Sequence, residues 1–237
     1  MQERGNTMNE MLKESMFFGM VISLVGYEIG LTVRNKLKKA ICNPLLISVV
    51  VIILFLAVFH IDYETYDYGA KYISYLLTPA TVCLAVPLYE QLELLKKNVK
   101  AVVLGIVAGV LTSLTGVWVL SMLFGFSHQE YVTMLPKSIT TAIGMGMSEE
   151  MGGIPTITVA AIVITGILGN MMAELVCRLF RITEPVARGI AIGSSAHAMG
   201  TAKAIEMGEI EGAMSSLAIA SAGLVTVIFA SVYANFL

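Results

Sequence analysis

Residues 101–126, AVVLGIVAGVLTSLTGVWVLSMLFGF, contain no Asp, Glu, Lys or Arg. A helix of roughly 20 such residues crosses the hydrocarbon layer of a bilayer. Ile41–Phe59, Gly152–Ala173 and Gly212–Leu237 share this freedom from charge. With 57% hydrophobic and only 14% charged residues, the chain is not a soluble domain of ordinary composition. It reads as an all-α, polytopic membrane protein. The net charge of -2 indicates no particular partner. No basic arm or interleaving of basic and aromatic residues suggests nucleic acid.

Cys42, Cys83 and Cys177 are widely spaced inside or beside apolar segments. Without a Cys-x-x-Cys pair they read as small buried hydrophobes rather than zinc or redox ligands. The opening MQERGNTMNEMLKES is polar and mixed in charge, unlike a cleavable signal peptide. Insertion is therefore expected to rely on uncleaved spans.

Outward from residues 101–126, the pattern suggests about seven or eight membrane segments. The first, about Met16–Val33, carries Glu28 and runs into a basic loop with Arg34, Lys36, Lys38 and Lys39. Dense short basic loops favour the cytoplasmic side. Asn43-Pro44 reads as a helix cap followed by proline at the first helical position. His60–Lys71, with Asp62, Glu64, Asp67 and several tyrosines, reads as a connection on the opposite side. Lys96, Lys97 and Lys100 return the chain inside, and Ala101–Phe126 leads outward. Arg178, Arg181 and Arg188 favour an inside location after Ile154–Cys177. That placement requires Leu135–Glu150 to enter and leave on one side; a full crossing would put the arginines outside.

One order of segments occurs twice: Ile41–Phe59, Tyr72–Tyr89, Ala101–Phe126, then Ile154–Cys177, Gly189–Ile205, Gly212–Leu237. Transporters place paired interrupted helices at matching positions of inverted halves. The whole chain, 1–237, is accordingly read as one membrane domain, with repeat halves at about 16–126 and 132–237.

Three apolar stretches are interrupted by polar residues: LLTPATVCLAVPLY (Leu76–Tyr89), LPKSITTAIG (Leu135–Gly144) and IGSSAHAMGTAKA (Ile192–Ala204). Irregular backbone survives at membrane depth only inside protein or along a wet cavity. In the first break, Thr78 can cap a helix starting at Pro79, turning free N–H groups toward an anion, and Thr81 shares the face of Thr78. The alternative is a proline-kinked helix whose threonines bond their own backbone. In the second, Lys137 is a cation among apolar residues, with Thr140 and Thr141 on its helical face. An ionisable group there marks function, unless the lysine snorkels outward to the interface. In the third, Ser194, His197 and Thr201 share one helical face, while small neighbours permit close packing. Lys203 lies about 240° round from His197 on a regular helix of about 100° per residue. Either the helix is interrupted near Gly200, or Lys203 serves elsewhere. His197 can carry a proton in a coupled cycle or sit hydrogen-bonded between packed helices. Glu28 and Glu174 read as interfacial or paired carboxylates, and Asn170 as interhelical glue.

At these motifs the chain resembles the LrgB/CidB family of antiholin-like bacterial membrane proteins, related to plastidial glycolate and glycerate transporters. The matching residues are LTPATVCLAVPLY, LPKSITTAIG and ARGIAIGSSAHAMGTAKA. Departures from the family pattern are Cys83 and Gly144, each at a usual alanine, and Ala142 at a usual proline. The resemblance implies two activities. One is transport of small monocarboxylates such as pyruvate, acetate, glycolate or glycerate, for which the residues themselves suggest proton coupling. The other is control of murein hydrolase export and cell lysis, alongside an LrgA/CidA-like membrane partner. The candidate substrate-binding residues are Thr78, Pro79, Ala80, Thr81, Lys137, Ser138, Thr140, Thr141, Ser194, Ser195, His197, Thr201 and Lys203, with His197 the candidate for proton coupling. Expected partners are a small organic anion, the lipid bilayer, the LrgA/CidA-like protein and further copies of the chain in a homo-oligomer. No catalytic residue, metal or cofactor is expected, and the expected location is the bacterial cell membrane, crossed several times.

Overall fold

The computed structural model describes residues 12, 15–37, 43–76, 79, 82–83 and 85–237. Every regular element among them is helical. The chain divides into two compact units, Met1–Cys83 and Leu84–Leu237.

The first unit holds α1 (Met16–Leu37), α2 (Pro44–Phe59) and α3 (Tyr63–Ser74). Asn43 caps α2 as its sequence suggests, its side chain accepting from the N–H groups of Leu45 (2.8 Å) and Leu46 (3.2 Å). Helix α2 spans 16 residues, short of the roughly 20 needed for a perpendicular crossing. Gly19 and Gly30 of α1 are buried where a Cβ would collide with backbone of α3 and of Pro44. These close approaches let α1 pack on both neighbours.

The tyrosine-rich stretch expected as a connection is instead α3. Asp62 is the extended residue before it, Glu64 lies in its first turn and Lys71 in its last. Those charges complement the helix dipole. A polar helix carries no hydropathy signal, which is why composition made it look like a loop.

The second unit begins with α4 (Ala85–Glu90) and the long α5 (Leu92–Phe124). The 33 residues of α5 extend about 50 Å at 1.5 Å per residue, longer than a hydrocarbon layer. Its first turns carry Lys96, Lys97 and Lys100, so the helix starts well before the apolar run at Ala101. Then come α6 (His128–Met134), α7 (Thr141–Glu150), α8 (Pro155–Leu179), α9 (Pro185–Met207) and α10 (Glu209–Tyr233), closed by a 3-10 turn over Ala234–Phe236. Among the described residues, α1, α5, α8 and Glu209–Phe236 are long and apolar enough to cross a membrane. Helix α9 falls outside that set because its serines, His197 and Lys203 make it polar. It is nonetheless the centre of the unit, packed against α5, α8 and α10.

Small residues make that packing close. A Cβ on Gly189 would lie 2.5 Å from the Glu211 carbonyl oxygen, and one on Gly193 would collide with the Ser215 carbonyl. The facing residues Ala213, Met214, Ser215, Ala218 and Ala222 of α10 are buried. Dispersion at short range, rather than hydrophobic exclusion, holds such helices together in lipid.

Residues 135–153 leave α6 and return to it. The Ile154 N–H donates to Thr133 Oγ1 (2.9 Å), and the Thr158 hydroxyl donates to the Thr133 carbonyl (2.8 Å). The segment closes on its own starting point at Thr133. Packing of α7 against α8 fills the loop so formed.

A cation-lined cavity between four elements

Helices α5, α8 and α9 and the turn before α7 enclose a cavity of about 760 Å³. Glycines create it. On α5, a Cβ at Gly109 would sit 2.8 Å from Ser194 Oγ, and one at Gly105 would sit 3.3 Å from Ile190 Cγ2. Thr112 and Ser113 of α5, Thr165 of α8, and Ser194 and Ser195 of α9 contribute hydroxyls to the wall. Asn98 and Glu184, near the helix starts, also line it.

Lys137 is the one cation among the lining residues. Pro136 has no N–H to continue the α6 ladder, so residues 135–139 form turns rather than helix, with the Lys137 N–H donating to the Met134 carbonyl at 3.2 Å. The ammonium donates to Ser138 Oγ (3.0 Å) and lies 3.5 Å from Ser113 Oγ; the two serine oxygens are 2.9 Å apart. An ammonium has three donors and no acceptor. Among the described residues, no carboxylate lies within ion-pair distance of it. A mostly buried cation partnered only by hydroxyls is costly unless an anion joins it.

The shared face of Lys137, Thr140 and Thr141 read from the sequence does not form, because the turn at Pro136 removes the helical register. Lys137 and Ser138 line the cavity; Thr140 becomes the residue preceding α7, and neither threonine joins the lining.

Helix α9 is also irregular. Its backbone leaves the helical region at Ala196 (φ -129°, ψ 15°) and His197 (φ 41°, ψ -142°), earlier than the Gly200 position suggested by sequence. Consequently Ser194, His197 and Thr201 do not present one polar face to the cavity. Ser194 and Ser195 line it, while His197 and Thr201 do not. Ring Nε2 of His197, which must carry the hydrogen, donates to the Ile162 carbonyl at 2.9 Å. Gly166 makes room for that ring: a Cβ there would sit 2.5 Å from Cε1. Carbonyls near the break find side-chain donors. The Thr201 hydroxyl lies 3.1 Å from the His197 carbonyl and 2.6 Å from Ser215 Oγ, and Asn170 Nδ2 donates to the Met199 carbonyl at 2.7 Å. Asn170 is thus the interhelical contact its type suggested.

Lys203 serves elsewhere, paired with Glu174 at 2.6 Å and Glu206 at 3.3 Å. Of the first break, Pro79 is exposed helix, and Thr78, Ala80 and Thr81 lie outside the described residues. Sequence reasoning missed Thr112, Ser113, Thr165, Asn98 and Glu184. The only available signal was the Thr112-Ser113 pair inside an otherwise apolar run. No group of His, Cys, Asp and Glu among the described residues is placed to hold a metal.

All the lining residues fall within 23–236, the stretch matched by the LrgB-like family profile. The chain belongs to the LrgB-like family. It is 38% identical over 223 residues to "Antiholin-like protein LrgB" of Bacillus mycoides strain KBAB4, covering 93% of this chain and 96% of that relative. The proteins of the same name from Bacillus cereus strain B4264 and Bacillus anthracis strain CDC 684 match to the same extent. No solved structure matches the chain. For an LrgB-like membrane protein, the cavity therefore belongs to the shared part of the chain and not to an appended segment.

Proposed function

We propose that this chain is an antiholin-like regulator in the bacterial cell membrane, controlling murein hydrolase export and lysis together with an LrgA/CidA-like membrane partner. The observation that carries this reading is 38% identity over nearly the full length of proteins named antiholin-like. The test is expression of the chain, with and without such a partner, in a bacterium lacking its own LrgB-like genes. Supernatant murein hydrolase activity and the onset of lysis are then measured. A lowered activity and a delayed lysis are expected; no change in either contradicts the reading.

A second reading is favoured by the Lys137 cavity: a carrier of small monocarboxylates of the pyruvate, acetate, glycolate or glycerate kind. Lys137 would supply the countercharge, and Ser113, Ser138, Ser194 and Ser195 the neutral hydrogen bonds around the rest of a small oxo or hydroxy acid. Charge-assisted bonds of this sort are the strong ones in a polar site. Uptake of labelled pyruvate, glycolate and glycerate into proteoliposomes tests it. Saturable uptake with counterflow supports a carrier, non-saturating uptake supports a channel, and no uptake with or without the partner sinks both. The two readings are compatible, since lysis control can follow from metabolite flux.

A further inference from the structure

The turn between α8 and α9 holds a second cavity, of about 620 Å³, away from Lys137. Arg178, Arg181 and Arg188 line it together with Glu174 and Glu206. The carboxylates do not neutralise all of these arginines. Glu174 and Glu206 pair with Lys203, and Glu174, one turn before Arg178 on the same helix, also feels its charge. Arg188 is held by the buried Glu211 at 3.6 Å and donates from Nε to the Ile182 carbonyl at 2.7 Å. Among the described residues, Arg178 and Arg181 have no carboxylate within ion-pair distance.

The backbone favours display of these guanidinium groups. Helix α8 ends in a Schellman-type closure, the Ile182 N–H donating to the Cys177 carbonyl (2.8 Å) and the Arg181 N–H to the Arg178 carbonyl (3.2 Å). Arg181 occupies its left-handed position, φ 54°, where glycine is the usual residue because it has no Cβ. An arginine there retains a side chain at a steric cost that glycine would remove. Beside it, Leu179 and Phe180 are 71% and 70% exposed at the end of an apolar span. Exposed apolar side chains at the end of such a span suit the edge of a hydrocarbon layer, which would put the arginines beside it. There a ligand with an anionic head and an apolar tail meets both surfaces.

We propose that this cavity binds the phosphate headgroup of an anionic membrane lipid, with Arg178 and Arg181 pairing the phosphate and Leu179 and Phe180 against its chains. Arginine suits phosphate because its planar fork donates two parallel hydrogen bonds, and basic pockets at membrane helix ends recognise such headgroups. The site is independent of the Lys137 cavity and of either reading of its function.

The test is native mass spectrometry of the full chain in detergent, titrated with phosphatidylglycerol, phosphatidylcholine or inorganic phosphate. Expected is retention of phosphatidylglycerol, weakened about 30-fold by the double change Arg178→Gln/Arg181→Gln. The change Lys96→Gln/Lys97→Gln removes the same charge elsewhere and is expected to weaken retention less than about 3-fold. Equal retention of phosphatidylcholine by the unaltered protein overturns the proposal, a comparison that stands even if the arginine variant does not fold. So do equal effects of the two double changes. Displacement of the lipid by inorganic phosphate at millimolar concentration overturns the lipid assignment in favour of a soluble phosphorylated ligand.

Discussion

The turn at Lys137 and the break in α9 at His197 are both polar interruptions of apolar chain, yet they end in opposite states. At His197 the exposed valences are met from inside the protein: the ring donates to Ile162, Thr201 bonds the His197 carbonyl, and Asn170 bonds Met199. At Lys137 the ammonium meets, among the described residues, two serine hydroxyls and no carboxylate, and opens into a cavity of about 760 Å³. A break whose hydrogen bonds are complete is a way of shaping a helix. A break that leaves a cation short of an acceptor is a candidate binding site. Hydrogen-bond accounting, more than the presence of polar residues, separates the two.

The largest expected effect follows from removing the cation. Lys137→Ala should weaken binding of a small carboxylate by about 10- to 100-fold, the worth of one charge-assisted hydrogen bond, while leaving the melting temperature in detergent unchanged or raised. A second change probes the other side of the contrast. His197→Ala should lower stability by about 2 kcal/mol, since it removes the ring's hydrogen bond to the Ile162 carbonyl and empties the space beside Gly166. Carboxylate affinity per folded molecule should stay within about 3-fold. If affinity falls as far as in Lys137→Ala, the distinction between the two breaks fails.

Smaller effects sharpen the picture. Ser113→Ala takes away one neutral partner and should cost about 3- to 10-fold in carboxylate affinity, measured by calorimetric titration. Smallest is the pH response of α6, which leads into the Lys137 turn. Glu130 accepts the Ser127 N–H (2.8 Å) and hydroxyl (2.7 Å), which hold its carboxyl below its ordinary value of 4.5. A carboxyl depressed in the folded state contributes stability above its unfolded pKa and loses it as pH falls through the folded one. Glu130→Gln should therefore lower the melting temperature slightly at neutrality, where the ionised carboxylate contributes, and flatten its dependence on pH below about 4.5.

Much of this was legible in the chain. Charge-free runs marked α5, α8 and α10, Asn43-Pro44 marked the start of α2, and Lys137 stood out by its cost in an apolar setting. What stayed hidden has physical causes. Helix α3 is polar and carries no hydropathy signal. Ser113 sits in an uninterrupted span, and nothing local announces that it faces Lys137, which lies far along the chain. Of the two alternatives the sequence leaves open at α9, Lys203 serves elsewhere; the break at Ala196 and His197 stays hidden because glycine is the expected bearer of irregular backbone, whereas His197 takes the positive φ here. Lys203 finds Glu174 on a different helix, a pairing that periodicity within one helix cannot reveal. Thr78, Ala80 and Thr81 lie outside the described residues, so the first break stands on its sequence alone.

The most direct test of the contrast is one calorimetric series: pyruvate titrated into the purified protein, its Lys137→Ala variant and its His197→Ala variant at matched folded concentration. Expected are saturable binding to the unaltered protein, binding weakened about 10- to 100-fold in Lys137→Ala, and binding retained within about 3-fold in His197→Ala. Binding unaffected by Lys137→Ala, or abolished by His197→Ala in a protein that still melts cooperatively, would contradict it.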